Sequence, residues 1–299
     1  MLSNLGRFLS IKFNYPLGVK TWLGSGGNCR FFCKVDSLTD LNSLLKYIPG
    51  FLPTFIIGNG SNLLVRDGGF NGLVIKLGNE FKKIELNKKS SILTVGSAAK
   101  DLEVSNFCLK NNITGFEFLS GIPGTIGGNL KMNAGCFGYE ISDKLINCIV
   151  IDRNLNIETF TKNDINFGYR KTSFKKDHII LSARFRAQNS DQNNIIRNIE
   201  KISKTRRETQ PVSSRTGGST FTNPLSQDAW KLIDAINYRG KVIGGAKVSN
   251  LHSNFLINCN SATSLDIEIL AEEIRSKVWK KFKIKLNWEL MRIGEFKKV

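Results

Sequence analysis

Gly121-Ile122-Pro123-Gly124-Thr125-Ile126-Gly127-Gly128 puts four glycines and one proline into eight residues. Glycine carries no side chain and tolerates positive φ, so a run of this kind lets backbone N–H groups come close to a ligand. A phosphate is the ligand such dipoles suit. The run has company: Gly58-Asn59-Gly60-Ser61-Asn62-Leu63-Leu64 lies upstream and Met132-Asn133-Ala134-Gly135 directly downstream. Two glycine-rich loops facing one anionic ligand suggest a dinucleotide.

Working outward, Cys29-Arg30-Phe31-Phe32-Cys33-Lys34-Val35 reads as a strand. Ser37-x-x-Asp40 then reads as a capping box ahead of Leu38, Leu41, Leu44, Leu45 and Ile48 at helical spacing. Thr54-Phe55-Ile56-Ile57 reads as the next strand and runs straight into the loop at Gly58. That loop is a poor Rossmann fingerprint, because Gly58-x-Gly60 lacks a third glycine and is followed by strand-like Leu63-Leu64-Val65 where a helix should begin. A standard NAD fold is disfavoured.

From Gly72 to about Gln188, short β-rich runs (73–77, 92–95, 146–152 and 179–185) alternate with one helix near 99–111 and the glycine loop, an α+β pattern. A polar stretch at 188–194 leads into a helix with Ile195, Ile196, Ile199 and Ile202 on one face and is expected to mark a boundary. The last third carries Arg215-Thr216-Gly217-Gly218-Ser219-Thr220-Phe221-Thr222-Asn223-Pro224, a helix around 228–238 stopped near Gly240, and Gly244-Gly245-Ala246-Lys247-Val248-Ser249. An amphipathic helix follows with Ile267, Leu270, Ala271, Ile274 and Val278 on one face. A period-two strand is expected next: Ile284, Leu286, Trp288 and Leu290 share one face and Lys285, Asn287 and Glu289 the other.

The 299-residue chain is long enough for two or three subdomains, and 41% apolar with 23% charged residues is a globular composition. No run of about 18 apolar residues exists, so no membrane-spanning segment is expected. Residues 1–23 have neither a continuous apolar core nor a small-residue cleavage site, so no signal peptide is read and a cytoplasmic location is expected. The six cysteines are dispersed and there are two histidines, which disfavours a zinc site and implies no disulfides. The net charge of +18 invites a nucleic-acid reading. The cations are nevertheless spread along the chain in pairs such as Lys82-Lys83 and Arg206-Arg207, and no basic run reaches five or six residues. Abundant asparagine, lysine and isoleucine fit a compositional bias, and a positive field still speeds the arrival of an anionic substrate.

Side-chain chemistry is sparse. There is no Ser/His/Asp set in a plausible context, no Walker A loop, no metal constellation and no evident carboxylate pair. A bound organic cofactor explains so much phosphate-cradling backbone economically.

Six motifs in order then become specific: Gly58 to Leu64; Gly115-Phe116-Glu117-Phe118-Leu119-Ser120 running into Gly121 to Gly128; Met132 to Gly135; Tyr169-Arg170; Gly218-Ser219-x-Phe221-x-Asn223-Pro224; and Gly244-Gly245-Ala246-x-Val248-Ser249. The chain resembles the UDP-N-acetylenolpyruvoylglucosamine reductase (MurB) family over about residues 21–294, and it matches the shorter subclass, since no long insertion separates Tyr169 from Ser219. The resemblance implies an α+β, vanillyl-alcohol-oxidase/PCMH-like two-subdomain FAD-binding fold with a C-terminal α+β substrate domain. The expected bounds are 1–78 (with the tail 290–299 returning to it), 79–190 and 191–289. FAD and NADPH are the implied cofactors, in the reduction of UDP-N-acetylglucosamine-enolpyruvate to UDP-N-acetylmuramate for peptidoglycan precursor synthesis. The expected partners are the UDP-sugar nucleotide and NADPH, with no nucleic acid, no membrane and a monomeric state.

Carried over residue by residue, the resemblance places the cofactor on Gly58, Asn59, Gly60, Ser61, Asn62 and Leu63, on Gly121, Pro123, Gly124, Thr125, Gly127 and Gly128, and on Asn133, Ala134 and Gly135. It places the proton donor on Ser219, with Arg170 and Glu289 also catalytic, and substrate contacts on Tyr169, Arg170 and Asn223. The residue types suit the chemistry. Hydride attack at one alkene carbon builds enolate character beside a carboxylate, so a cation gripping that carboxylate lowers the barrier, and the permanently charged fork of Arg170 fits. The developing carbanion needs a proton on one face, and a serine on a glycine-flanked turn can approach closely. Glu289 would orient the carboxylate end or share a proton there.

Taken singly, Tyr169-Arg170 is a surface cation beside an aromatic, Ser219 a turn serine, Glu289 a solvated residue on a polar strand face, and each glycine loop a tight turn. The chain departs from the family pattern at Thr222 where lysine is usual, at Asn250-Leu251 where Glu-Lys is common, at Thr172 in a usual serine position, and at Asn287, where an acidic residue is common two before the catalytic glutamate. Two rivals are a flavin oxidase of the same fold acting on a small alcohol or sugar, and a nonenzymatic nucleic-acid binder.

Overall fold

The computed structural model describes residues 10–225 and 227–298. The first nine residues of the stretch read as lacking a signal peptide, and the outermost ends of the expected domain bounds, lie outside the described residues. Among the described residues the α-helices are α1 (Leu38–Tyr47), α2 (Asp101–Lys110), α3 (Ile126–Met132), α4 (Gln192–Thr209), α5 (Ala229–Ala235) and α6 (Ser264–Phe282). Strands Ile11–Tyr15, Cys29–Val35, Phe70–Leu77 and Thr54–Ile57 form a four-stranded sheet in that order. Among the described residues no helix is long and apolar enough to cross a membrane.

Two compact units emerge from the chain's contacts. The first comprises 10–12, Phe32–Asn59 and Val74–Thr205, and the second Phe13–Phe31, Gly60–Leu73 and 206–298. In the first, five antiparallel strands run in the order Ile157–Thr161, Leu145–Ile151, Ile179–Arg186, Ile92–Gly96, Ile84–Asn87. Along Ile179–Arg186, Ala183 and Phe185 are buried while Arg184 and Arg186 face water, the period of two that a one-sided sheet requires. The buried face meets Val104 and Cys108 of α2, Ile126 and Leu130 of α3, and Phe116, whose ring meets Phe185 edge-on with centroids 5.7 Å apart. This core lies directly behind the glycine loop, because α3 grows out of it. Helix α1 begins with Ser37 accepting the Asp40 amide, one half of the expected capping box. Gln188–Asn189, in the stretch read as a boundary, pairs with Ile113–Thr114.

In the second unit the strands run Thr216–Ser219, Phe255–Asn258, Ala246–Val248, Val242–Ile243, all antiparallel. Ile267, Leu270, Ala271, Ile274 and Val278 of α6 are fully buried in its core with Leu232 and Ile233 of α5. Thr263 and Asp266 exchange hydrogen bonds as a capping box at the start of α6, and Lys283 ends it in the left-handed region at φ 60°. Met291–Ile293 pairs in parallel with Leu63–Val65.

One expectation is overturned. Residues 284–290 form no regular strand; they run extended with one isolated bridge, Trp288 to Phe221. Alternation survives because an extended chain against a core turns every second side chain inward: Leu286 and Leu290 are buried, Lys285 and Asn287 exposed. Glu289 departs from its exposed neighbours and is half-buried.

Candidate active site

The two glycine-rich loops do meet within the first unit. Asn59 Nδ2 donates to the Pro123 carbonyl at 2.9 Å, and a Cβ on Gly58 would sit 2.5 Å from Thr125 Oγ1. Glycine is therefore required at 58 for the loops to touch. The Gly121 loop is also laid along residues 97–101. Gly127 N donates to Ser97 O (2.8 Å), Ile126 N to Ala99 O (3.1 Å), and Gly124 N to Asp101 Oδ2 (2.9 Å). Three amides that the sequence offers to a phosphate are thus engaged inside the protein. What Gly124 and Gly127 contribute is closeness, since added Cβ atoms would lie 2.7 Å from Asp101 Oδ2 and 2.9 Å from Ser97 Cβ.

Asp101 is the residue that sequence reasoning missed here. Fully buried, it accepts from Gly124 N through one oxygen and from Asn129 Nδ2 (2.7 Å) through the other. Burial pushes its carboxyl up to about 8, outweighing the two hydrogen bonds that pull it down. In the sequence Asp101 reads as a first-turn acid favoured by the helix dipole, and no spacing rule links it to a loop 23 residues on.

A dinucleotide fits these loops on two observations. Gly128 is exposed, and a Cβ there would meet only Thr125 Oγ1 at 3.5 Å, so the backbone lies open to close approach. Asn133, fully buried and left-handed at φ 48°, spends Nδ2 on Glu140 Oε2 and Gly168 O while Oδ1 has no protein partner. A buried acceptor with no protein donor suits a ligand hydroxyl or N–H.

Tyr169 and Arg170 form the tip of a tight hairpin closed by Gly168 N to Lys171 O (2.9 Å) and its reciprocal (3.1 Å). Arg170 has φ 54°, a conformation that costs a non-glycine residue and is worth noting at a candidate catalytic position. Its guanidinium donates to Gly135 O at 2.7 Å and lies 5.1 Å from the Tyr169 ring centroid. Thr172, in the usual serine position, keeps a hydroxyl bond to Lys131 O at 2.8 Å.

In the second unit Ser219 ends its strand after Gly217, where a Cβ would strike Leu290 Cδ1 at 2.4 Å, and Gly218, at φ 80°. Register slips between Thr216 and Ser219, so the chain bulges and re-aims the serine. The Ser219 hydroxyl is half-buried and has no partner among the described residues. Next to it, Thr220 O accepts from Glu289 N (2.9 Å) and Leu290 N (3.3 Å). Serine and glutamate segments are therefore adjacent. Asn254, buried and unread in the sequence, locks this arrangement by accepting from Phe221 N (3.0 Å) and donating to Phe221 O (2.8 Å). Asn62 Nδ2 donates to Glu289 O at 3.1 Å, and Met291 N donates to Asn62 O at 3.2 Å. Gly60 to Leu63 thus sit with the glutamate segment in the second unit, while Gly58 and Asn59 belong to the first. Asn223 Oδ1 caps α5 by accepting from Ala229 N at 3.0 Å.

A close-packed glycine loop open at Gly128, carried on an antiparallel sheet with a buried unpartnered acceptor at Asn133, suits the class of FAD-binding oxidoreductases. An FAD binding domain matches residues 30–155, and the C-terminal domain of UDP-N-acetylenolpyruvoylglucosamine reductase matches 210–293. UDP-N-acetylenolpyruvoylglucosamine reductase of Rickettsia prowazekii is 45% identical over 95% of this chain and 96% of its own length. The Paramagnetospirillum magneticum reductase is 42% identical over 95% of this chain and 92% of its own. The crystal structure of the Thermus caldophilus enzyme superposes with a TM-score of 0.82 at 28% identity, covering 96% of this chain and 99% of that one. The glucose dehydrogenase Phl p 4.0202 shares the fold alone, with a TM-score of 0.50 at 11% identity over 64% of this chain and 44% of its own. The chain belongs to the UDP-N-acetylenolpyruvoylglucosamine reductase family, and the vanillyl-alcohol-oxidase/PCMH-like FAD fold implied by its motifs is the fold it has.

Proposed function

We propose that this enzyme reduces UDP-N-acetylglucosamine-enolpyruvate to UDP-N-acetylmuramate with NADPH as reductant, as a cytoplasmic monomer in peptidoglycan precursor synthesis. FAD would supply hydride transfer between the nicotinamide and the alkene. Gly58, Asn59, Gly60, Ser61, Asn62 and Leu63, the Gly121 to Gly128 loop, and Asn133, Ala134 and Gly135 would hold it. The expected subdivision into two flavin subdomains (1–78 and 79–190) and a substrate domain (191–289) goes with this reading.

Arg170 is proposed to bind the substrate carboxylate and stabilise the enolate charge that grows on it, with Tyr169 and Asn223 also contacting substrate. Ser219 is proposed to give its hydroxyl proton to the carbanion carbon, and Glu289 to orient or share a proton at the carboxylate end. The observation that carries the reading is the Ser219 turn: a bulged, glycine-flanked serine with a hydroxyl unpartnered among the described residues, hydrogen-bonded through Thr220 to the Glu289 backbone. The test is a pair of half-reactions. In Ser219→Ala, NADPH should bleach the flavin at nearly the native rate, while reoxidation by the enolpyruvyl sugar nucleotide should slow by about 10²-fold or more. Equal slowing of both would assign Ser219 to structure, and a colourless protein from a flavin-replete preparation would remove the proposal altogether.

A further inference from the structure

We propose that Lys131 is a positioning residue for Arg170: from the last turn of α3 its ammonium holds the hairpin that presents the arginine. The inference rests on the catalytic reading of Arg170 given above. Lys131 Nζ donates to Lys175 O at 2.7 Å, and Lys131 O accepts from Thr172 Oγ1 at 2.8 Å. One residue thus grips the arm of the hairpin that follows Arg170 at two points. The preceding arm is gripped two residues further along the chain, where Asn133 Nδ2 donates to Gly168 O at 3.1 Å. Arg170 closes the arrangement by donating to Gly135 O at 2.7 Å. Residues 131 to 135 therefore form a base on which the hairpin sits, and Lys131 supplies from that base a tether made by a charged side chain.

An ordinary surface lysine in the last turn of a helix would extend into water and favour the helix dipole. Lys131 instead folds under the hairpin, half-buried, with Nζ 5.6 Å from the Phe174 ring centroid and no carboxylate within ion-pairing distance among the described residues. Loss of hydration pushes its ammonium down to about 8, partly offset by Asp177. A chain that needed only a loop anchor had neutral donors available, as Thr172 and Asn133 show. A cation here adds positive potential beside the proposed carboxylate-binding arginine, and it fixes a residue held at φ 54°. Displacement of a catalytic group by about 1 Å can cost about 10²-fold in rate.

The experiment compares Lys131→Met, Lys131→Gln, Lys131→Arg and Arg170→Ala in the two half-reactions, with thermal melting and FAD affinity of the apoprotein measured alongside. Arg170→Ala should abolish reoxidation by the enolpyruvyl nucleotide while sparing reduction by NADPH; if it spares both, the catalytic reading of Arg170 fails and the inference falls with it. Given a defective Arg170→Ala, Lys131→Met should lower substrate-driven reoxidation about tenfold to a hundredfold and raise KM for the enolpyruvyl nucleotide. Flavin reduction, FAD affinity and melting temperature should stay near native. Lys131→Gln, which keeps a donor without the charge, should fall between Lys131→Met and native, and Lys131→Arg should recover most of the rate. Native reoxidation in Lys131→Met and Lys131→Gln overturns the proposal, as does a matched loss in both half-reactions with lowered melting temperature.

Discussion

Each unit contains a buried carboxylate beside its part of the predicted site, and the two are satisfied in opposite ways. Asp101 in the first unit holds the glycine loop through two neutral N–H donors, from Gly124 and Asn129. Glu268 in the second, 5% exposed, takes a bidentate grip from Arg66 at 2.8 and 3.2 Å, and Arg292 approaches at 3.7 Å. Arg66 N also donates to Ile293 O, so Glu268 helps fasten the segment that leads away from Glu289. The comparison teaches that burial alone does not set a carboxylate's behaviour. In the second unit cations pair the carboxylate; in the first only N–H donors face it, and burial raises Asp101 to about 8.

The largest effect should follow from breaking the charged anchor. Glu268→Ala leaves two arginines facing a buried gap and should cost about 3 kcal/mol, at the low end for a buried pair because Arg66 keeps a quarter of its side-chain exposure. Urea unfolding measures it, and a loss below about 1 kcal/mol would show the pair to be no better than a surface bridge. Next in size, Asp101→Leu should cost about 2 kcal/mol, because two buried donors lose their acceptor while the desolvation of a carboxyl is relieved. Its apoprotein should also bind FAD more weakly, as the loop loses its clamp. Asn254→Ala should cost about 1–2 kcal/mol by freeing both polar groups of Phe221. Because Ser219 and Glu289 meet over Thr220, it should slow substrate-driven reoxidation more than flavin reduction; equal slowing would break that link.

A pH slope tests the Asp101 anchor alone. Folded Asp101 keeps its proton to about pH 8 whereas the unfolded residue releases it near 3.8. Between those values the native state binds more protons, so this residue's contribution to stability falls as pH rises through the window. Urea midpoints taken from pH 5 to 8 should therefore fall less steeply in Asp101→Asn than in the native protein. An unchanged slope would mean that the carboxyl is ionised in the fold.

Much of this was readable along the chain. The expected strand at 54–57 is found as Thr54–Ile57, the apolar stripe from Ile267 to Val278 is buried as its spacing requires, and Ser37 caps α1. These are local matters: period, cap and turn chemistry act over a few residues. The extended run at 284–290 shows the limit, since alternation predicts which side chains turn inward but cannot say whether a partner strand exists.

The motifs by themselves determined the family and the FAD fold and supplied the residues proposed for proton and carboxylate chemistry, because backbone-exposing glycines and reactive side chains are visible one residue at a time. Only the tertiary structure decided that Gly124, Ile126 and Gly127 spend their amides internally. The same holds for the Asp101 clamp on the glycine loop, the Asn254 lock beneath Ser219 and the grip of Lys131 on the Arg170 hairpin. Those assignments rest on hydrogen bonds between residues 20 to 45 positions apart or more, and a donor or acceptor in the sequence carries no mark of which distant partner will satisfy it once water is excluded.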